Sequence, residues 1–212
     1  IGNFTLFIGP HAFNEYAHFL ETVAHGWLIY AFEIFLFAIF VFHIVAAVTV
    51  AWTDKKKARD QGYKYNRNAG GKSRKTLASR SMIYTGAILL VFVIAHIFLF
   101  KFNAGNPHDT YTRGADQVVV KDLYKTVVTV LKGPGFAIFT VVAMILLGLH
   151  LRHGFWSAFQ SLGWANDRFL PVLINLARVF SFLLAVGFLV LPLYVFFFVD
   201  PASASAASSG GH

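Results

Sequence analysis

The chain has 212 residues, of which 57% are hydrophobic and only 13% are charged. Soluble domains carry about 25% charged residues, so this composition indicates a membrane protein. The net charge of +8 does not indicate nucleic-acid binding, because ten of the 18 lysines and arginines lie between Lys55 and Arg80 and none precedes them. The absence of cysteine excludes disulfides, thiolate-bound iron–sulfur clusters and covalently attached haem within the chain.

Four apolar segments are long enough to cross about 30 Å of hydrocarbon, which takes roughly 20 helical residues. We call them spans A to D; they cover residues 27–52, 81–102, 135–156 and 171–199. Aromatic residues that can anchor a helix at the membrane surface lie near their ends: Trp27, Trp52, Trp156 and Tyr194. The sequence therefore predicts a single all-α domain over residues 1–212, a transmembrane helical bundle.

The basic residues predict the orientation of the spans. The loop of residues 53–80 is rich in lysine and arginine, so we expect it in the cytoplasm. Alternation then places the loop of residues 1–26, the loop between spans B and C, and the flexible tail of residues 200–212 outside. Residues 117–131 have rough helical spacing of apolar and charged groups, which predicts an interfacial helix on the outer surface.

The start of the chain resembles the exit of an apolar helix. Ile1 is not an initiator residue, no basic region precedes it, and no small-residue cleavage site follows, so these residues are not a signal peptide. We expect a fifth, N-terminal span before Ile1.

Spans A, B and C each contain one histidine: His43, His96 and His150. At 1.5 Å per residue, His43 and His150 fall in the cytoplasmic half of the bilayer, about nine and six residues from the inner span ends. His96 lies about six residues from the outer end of span B. His43 and His150 can therefore share one ligand, and His96 cannot join them.

Haem b fits the first pair better than zinc, which usually takes three or four protein ligands. A six-coordinate haem iron takes two axial ligands from opposite faces, and facing helices supply them. Gly148, two residues before His150, and Gly86, along span B from His96, would leave room for the macrocycle. The alternative for a membrane histidine is an interhelical hydrogen bond.

His96 needs a ligand partner of its own. His25, near the outer end of span A, is one candidate, and a histidine on a helix before Ile1 is the preferred one. His153 follows His150 by one turn, and a haem propionate, a partner subunit and an interfacial anchoring role all remain open for it.

Three segments around these histidines resemble consecutive helices of a known family: YAFEIFLFAIFVFHIVAAV, YTGAILLVFVIAHIF and LLGLHLRHGFWSAFQSLGW. They are similar to the cytochrome b membrane anchors of succinate:quinone oxidoreductases and fumarate reductases (complex II), in the single-subunit form with two haems. GPHAFNEYAHFLET is similar to the loop before the second helix of that family. The resemblance implies that His43 and His150 bind the inner haem b. It also implies that His96 binds the outer one, with a partner upstream of Ile1.

The resemblance further implies the electron-transfer and quinone-reactive subunit of succinate dehydrogenase, an enzyme of the tricarboxylic acid cycle, in the inner membrane of a prokaryote. Electrons would pass from an iron–sulfur subunit through two b haems to menaquinone or another quinone. A flavoprotein and the iron–sulfur subunit, docked on the cytoplasmic face, would hold the FAD and the clusters, so dicarboxylate chemistry would lie outside this chain.

Other functions stay open at this stage. A fumarate reductase anchor would carry the reverse reaction, in which quinol is oxidised and fumarate is reduced. The sequence does not show in which direction the electrons flow. A cytochrome b subunit of a hydrogenase or formate dehydrogenase would share the histidine pattern but not this helix order. A transporter or structural membrane protein would bind no haem.

Two carboxylates are candidates for proton handling at a quinone site. Glu33 is the one carboxylate inside a span, near the depth of His96, and intramembrane acids are functional candidates by default, with a structural hydrogen bond as the alternative. Glu21 precedes span A at a position that the family associates with quinol-site protons. Either could exchange protons with a quinone within its reach.

Overall fold

The computed structural model describes residues 2–54, 77–102, 110–113, 118–164 and 166–202. Most of the predicted basic loop and the tail beyond residue 202 lie outside them. The described helices are α1 Pro10–Thr22, α2 Trp27–Val48, α3 Leu77–His96, α4 Leu123–Lys132, α5 Pro134–Ser161 and α6 Leu170–Phe198. Short 3-10 turns cover Gly2–Phe7 and Val23–Gly26, and π-helical turns, Thr49–Asp54 and Ile97–Lys101, extend α2 and α3.

Among the residues that the structure describes, four helical stretches are long and apolar enough to cross a membrane: Pro10–Val48, Ser81–Lys101, Pro134–Ser161 and Leu170–Phe198. They confirm the predicted all-α transmembrane class. The described residues also contain a hairpin that was not predicted, in which β1 (Thr110–Arg113) pairs antiparallel with β2 (Val118–Lys121). Its three consecutive valines favour a strand, so the predicted interfacial helix begins only at Leu123.

The chain divides into two compact units. The first comprises residues 1–19 and 85–212, and the second comprises residues 20–84. Within the first unit, α5 and α6 pack closely, since a Cβ on Gly148 would lie 2.9 Å from the Cβ of Ala185. Small residues allow membrane helices this close approach.

The amphipathic helix α4 is held by a buried polar network. Asp122 caps its first turn by accepting a hydrogen bond from the backbone N–H of Lys125 (2.9 Å), and the Asn14 side chain donates another to the same carboxylate (2.8 Å). The Oδ1 of Asn14 in turn accepts from the N–H of Tyr124 (2.9 Å). The network therefore fixes α1 against α4. Burial raises the pKa of Tyr124, and Tyr194 and Asp122 raise it further.

Two lysines flanking α4 bind carbonyls at the ends of neighbouring helices. The Nζ of Lys121 donates to the carbonyl of Phe100 (3.0 Å), and the Nζ of Lys132 donates to that of Phe196 (3.0 Å). A helix C-terminus leaves carbonyls without intrahelical donors, and cations there are favourable. Both contacts tie α4 to the ends of α3 and α6 that are predicted to face outside.

The second unit contains a sharp turn between α1 and α2. Ala24 (φ 53°), His25 (φ 56°) and Gly26 (φ 79°) are consecutive residues in the left-handed region. Glycine adopts this conformation without strain, whereas the other two residues adopt it at a cost. The turn ends α1 and sets the start of α2, on which Glu33 and His43 lie.

Candidate functional site

His150 is held by a polar contact that the sequence did not predict. Its Nδ1 lies 3.1 Å from the Oγ1 of Thr85, which is 3% exposed on α3. A metal-binding histidine usually donates its other ring N–H to such a partner, which fixes the tautomer and the ring orientation. With Nδ1 engaged by Thr85, Nε2 is the nitrogen that a haem iron would take.

A glycine makes this contact possible. A Cβ on Gly86 would lie 3.3 Å from the Cε1 of His150, so a larger residue there would displace the imidazole. Gly86 was expected to leave room near His96, but it packs beside His150, about ten residues along the helix from His96. Gly148, expected to make room at His150, packs against Ala185 on α6 instead.

His96 has a different setting, on the wall of a cavity of 380 Å³ in the first unit. The side chains that line it come from the N-terminal turn and from all five of the helices that contribute to this unit. Its polar lining side chains are Asn3, His96 and Thr140, and the hydroxyl of Thr140 already donates to the carbonyl of Phe136 (2.8 Å). An apolar cavity with few polar groups is typical of a site for a flat organic ligand.

Aromatic rings orient the imidazole of His96. The rings of Phe92 and Phe100, one turn before and one turn after it, lie 5.6 Å and 4.7 Å from it between centroids. Phe92 is buried and stacks on Phe136 of α5 (6.3 Å, 16°). The side chain of His96 itself is exposed to the cavity. One imidazole in an apolar aromatic wall fits an axial ligand of haem b.

The other predicted site residues belong to the second unit. His43 is exposed on α2, and Glu33 is half-buried about ten residues before it on the same helix. His25 is exposed in the left-handed turn, and Glu21 is exposed near the end of α1. The pairing of His43 with His150, and the roles of the other three, therefore stay predictions from depth and resemblance.

His153 has a buried nitrogen that lacks a hydrogen-bond partner among the described residues, its Nδ1. Its ring meets Trp156 edge-on, with 5.2 Å between centroids. A buried unsatisfied nitrogen costs about 1–3 kcal/mol, so this position suits a group supplied from elsewhere. That group would be a haem propionate or a side chain of a partner subunit.

No three His, Asp or Glu side chains come together as a metal site within the part of the chain that the structure describes. His96 and His150 lie on different helices, and a haem b would take one histidine from a helix rather than a cluster.

A comparison with known proteins finds a relative of this chain by sequence. No family model and no solved structure matches the chain. The succinate dehydrogenase cytochrome b558 subunit of Bacillus subtilis (strain 168) is 29% identical to it over 150 residues, which is 70% of this chain. The matched region spans 62% of the Bacillus protein, less than two thirds of its length. This similarity confirms the resemblance to the cytochrome b membrane anchors of complex II, and with the four long apolar helices it supports a multi-pass protein of a prokaryotic membrane.

Proposed function

We propose that this chain is the membrane-anchor subunit of a succinate dehydrogenase, passing electrons from a partner iron–sulfur subunit through two b haems to menaquinone or another quinone. The name of the Bacillus relative supports this class of complex. The observation that carries the proposal is the setting of His150. Its Nδ1 contacts a buried threonine hydroxyl, and its ring lies against a glycine.

His150 and His43 are the proposed ligands of the inner haem. A bound haem b supplies reversible one-electron transfer. In this role Thr85 would accept a hydrogen bond from Nδ1–H of His150, which would leave Nε2 free to hold a haem iron and raise its basicity. Gly86 lets the imidazole approach α3 without a clash. The partner histidine, His43, comes from the depth match and the resemblance.

His96 is the proposed ligand of the outer haem. Its second ligand is a histidine upstream of Ile1, with His25 as the fallback. The wall beside the imidazole is largely apolar, and Phe92 and Phe100 pack against the ring.

Glu33 and Glu21 are the proposed proton carriers for the quinone. Quinone reduction takes up two protons with two electrons, so a proton donor is needed within reach of the quinone oxygens, and a carboxylic acid can serve. Glu33 lies within a membrane-length helical stretch and is half-buried, where an acid is a functional candidate. Glu21, which is exposed, would exchange protons with bulk water.

The partners proposed are a flavoprotein and an iron–sulfur subunit on the cytoplasmic side. The basic loop of residues 53–80 and the turn between α5 and α6 would contribute to the docking surface. This chain holds no cysteine, so clusters in such a complex belong to the partner.

The test is a reduced-minus-oxidised absorption spectrum of the intact complex, together with succinate-driven reduction of a quinone. We expect haem b bands and quinone reduction that depends on the bound flavoprotein. A complex without haem b bands would contradict the proposal. Quinol-driven fumarate reduction that is much faster than succinate oxidation would support the alternative direction, a fumarate reductase anchor.

A further inference from the structure

A groove of 680 Å³ runs along the surface of the α5–α6 pair in the first unit. Two arginines line it, Arg152 on α5 and Arg178 on α6. The rest of the lining is apolar or small, and the hydroxyl of Ser181 donates to the carbonyl of Arg178 (3.2 Å). The groove therefore has a strongly cationic part and a long apolar part.

The two arginines lie at the same depth. Arg178 is about eight residues into α6, and about 20 helical residues follow it, which is the length that crosses the hydrocarbon. Arg152 is about 18 residues, or about 27 Å, from the opposite end of α5. Both arginines therefore lie near the same membrane surface, the one predicted to be cytoplasmic.

The apolar part of the groove extends from this surface towards the middle of the bilayer. Leu189, which lines it, is about 11 residues beyond Arg178, or about 16 Å along the helix. One leaflet of a bilayer has about 15 Å of hydrocarbon. The groove therefore has the length of one leaflet, with its charges at the headgroup level.

The charge of the two arginines is not balanced within these helices. Asp167 is the one carboxylate between residues 134 and 199, and it lies in the turn between α5 and α6. Arg178 donates instead to the amide oxygen of Asn175 (3.0 Å), and Arg152 is exposed. An uncompensated arginine pair beside an apolar surface selects an anion.

The groove is separate from the histidine site. His150 and Arg152 are two residues apart, about 200° around the helix, and His150 points to Thr85 and Gly86 on α3. Residues of α5 that line the groove, such as Met144, Gly148 and Arg152, lie on another face. A propionate of a haem bound at His150 is therefore not the anion that the groove would hold.

We propose that this groove binds an anionic phospholipid of the cytoplasmic leaflet, with Arg152 and Arg178 on the phosphate and one acyl chain along the apolar part. Guanidinium groups match phosphate oxygens with paired hydrogen bonds. Basic pockets between membrane helices on this side recognise anionic headgroups. The length of the groove and its polarity both fit a lipid.

The experiment is native mass spectrometry of the detergent-purified complex, titrated with phosphatidylglycerol or phosphatidylcholine. We expect the wild type to retain phosphatidylglycerol and release phosphatidylcholine. The double variant Arg152→Gln/Arg178→Gln should bind phosphatidylglycerol about tenfold more weakly or worse, since each arginine near the surface strengthens such binding. Arg168→Gln is the matched control, because Arg168 lies in the turn and does not line the groove.

A second variant keeps both charges and tests the acyl-chain part. Val186 lines the groove and is 38% exposed, so Val186→Phe fills it without disturbing the core. We expect this variant to lose phosphatidylglycerol too. If the double arginine variant does not fold, Val186→Phe alone tests whether the groove binds the lipid.

Three results would overturn the proposal. The first is phosphatidylglycerol binding unchanged in both the double arginine variant and Val186→Phe. The second is glycerol phosphate binding as tightly as the lipid, which would make the groove a site for free phosphate. The third is the loss of a protein subunit, with lipid binding intact, in the double arginine variant.

Discussion

The surroundings of His150 and His96 differ although both residues are single imidazoles in apolar helices. His150 is held by a hydrogen bond between its Nδ1 and the hydroxyl of a buried threonine, and it lies against a glycine. His96 is held by two phenylalanine rings and opens into a cavity of 380 Å³. The first imidazole therefore has a polar contact that orients its ring, whereas the second has aromatic neighbours and an adjacent cavity.

The two histidines therefore differ in the kind of contact that orients each imidazole. At His150, orientation comes from polar contact, so small changes in neighbouring atoms should act strongly. At His96, the ring is held by aromatic packing, which is less directional than a hydrogen bond and is shared between two rings. The cavity beside His96 also needs α1 and α4 to stay in place, since Phe13 and Leu123 line it.

The largest expected effect is that of Gly86→Val. The Cβ of the new side chain would lie 3.3 Å from the Cε1 of His150, closer than ordinary contact, and its two methyl groups add bulk beside the ring, so we expect the imidazole to shift. We expect loss of most of the haem assigned to His150 and retention of the other, measured by reduced-minus-oxidised spectra. Gly187→Val is the control, because a Cβ there has nothing within 4 Å. Equal haem loss in both variants would mean that valine acts through helix stability alone.

A smaller effect is expected for Thr85→Val, which keeps the shape and removes the hydroxyl that contacts His150. Loss of such a hydrogen-bond partner typically costs about 10–100-fold in metal affinity. We expect that range of weakening in titrations of the haem-depleted complex with haem, with Thr85→Ser close to wild type. Identical affinities in all three proteins would remove Thr85 from the site.

A still smaller effect is expected at the outer site for Asn14→Ala. It removes the donor to the buried carboxylate of Asp122 and the acceptor for the N–H of Tyr124. Leaving such groups unsatisfied costs about 1–3 kcal/mol. Thermal unfolding of the complex should show a lower midpoint, while the His150 haem spectrum stays unchanged at low temperature. Thr129→Ala, on the exposed side of α4, should not shift the midpoint; an equal shift would contradict the role of the network.

The sequence was sufficient to predict an all-α transmembrane protein with four membrane-length helices, whereas the predicted histidine depths stay predictions. Hydrophobic runs of span length and the clustering of charge outside them follow from the cost of burying charge in hydrocarbon, so they are visible residue by residue. The three transmembrane histidines stand out for the same reason. These features depend on composition along one chain segment and need no knowledge of neighbouring helices.

The contacts of the histidines could not be predicted in the same way. The face of α3 that meets His150 depends on the rotation of the helix about its axis, and packing sets that rotation. For this reason Gly86 was expected to make room near His96, whereas it lies beside His150. Thr85 could have been found by its depth, since a hydroxyl near the inner end of span B lies level with His150. The partners Asn14 and Asp122 are 108 residues apart, and nothing local connects them.

The most direct test of the central claim counts haems per complex in variants of the three transmembrane histidines. His43→Ala and His150→Ala should each lose one of two haems, the same one, and the double variant should lose no more. His96→Ala should lose the other haem. The opposite result would be a double variant His43→Ala/His150→Ala that lacks both haems while each single variant keeps one, because the two residues would then bind different haems.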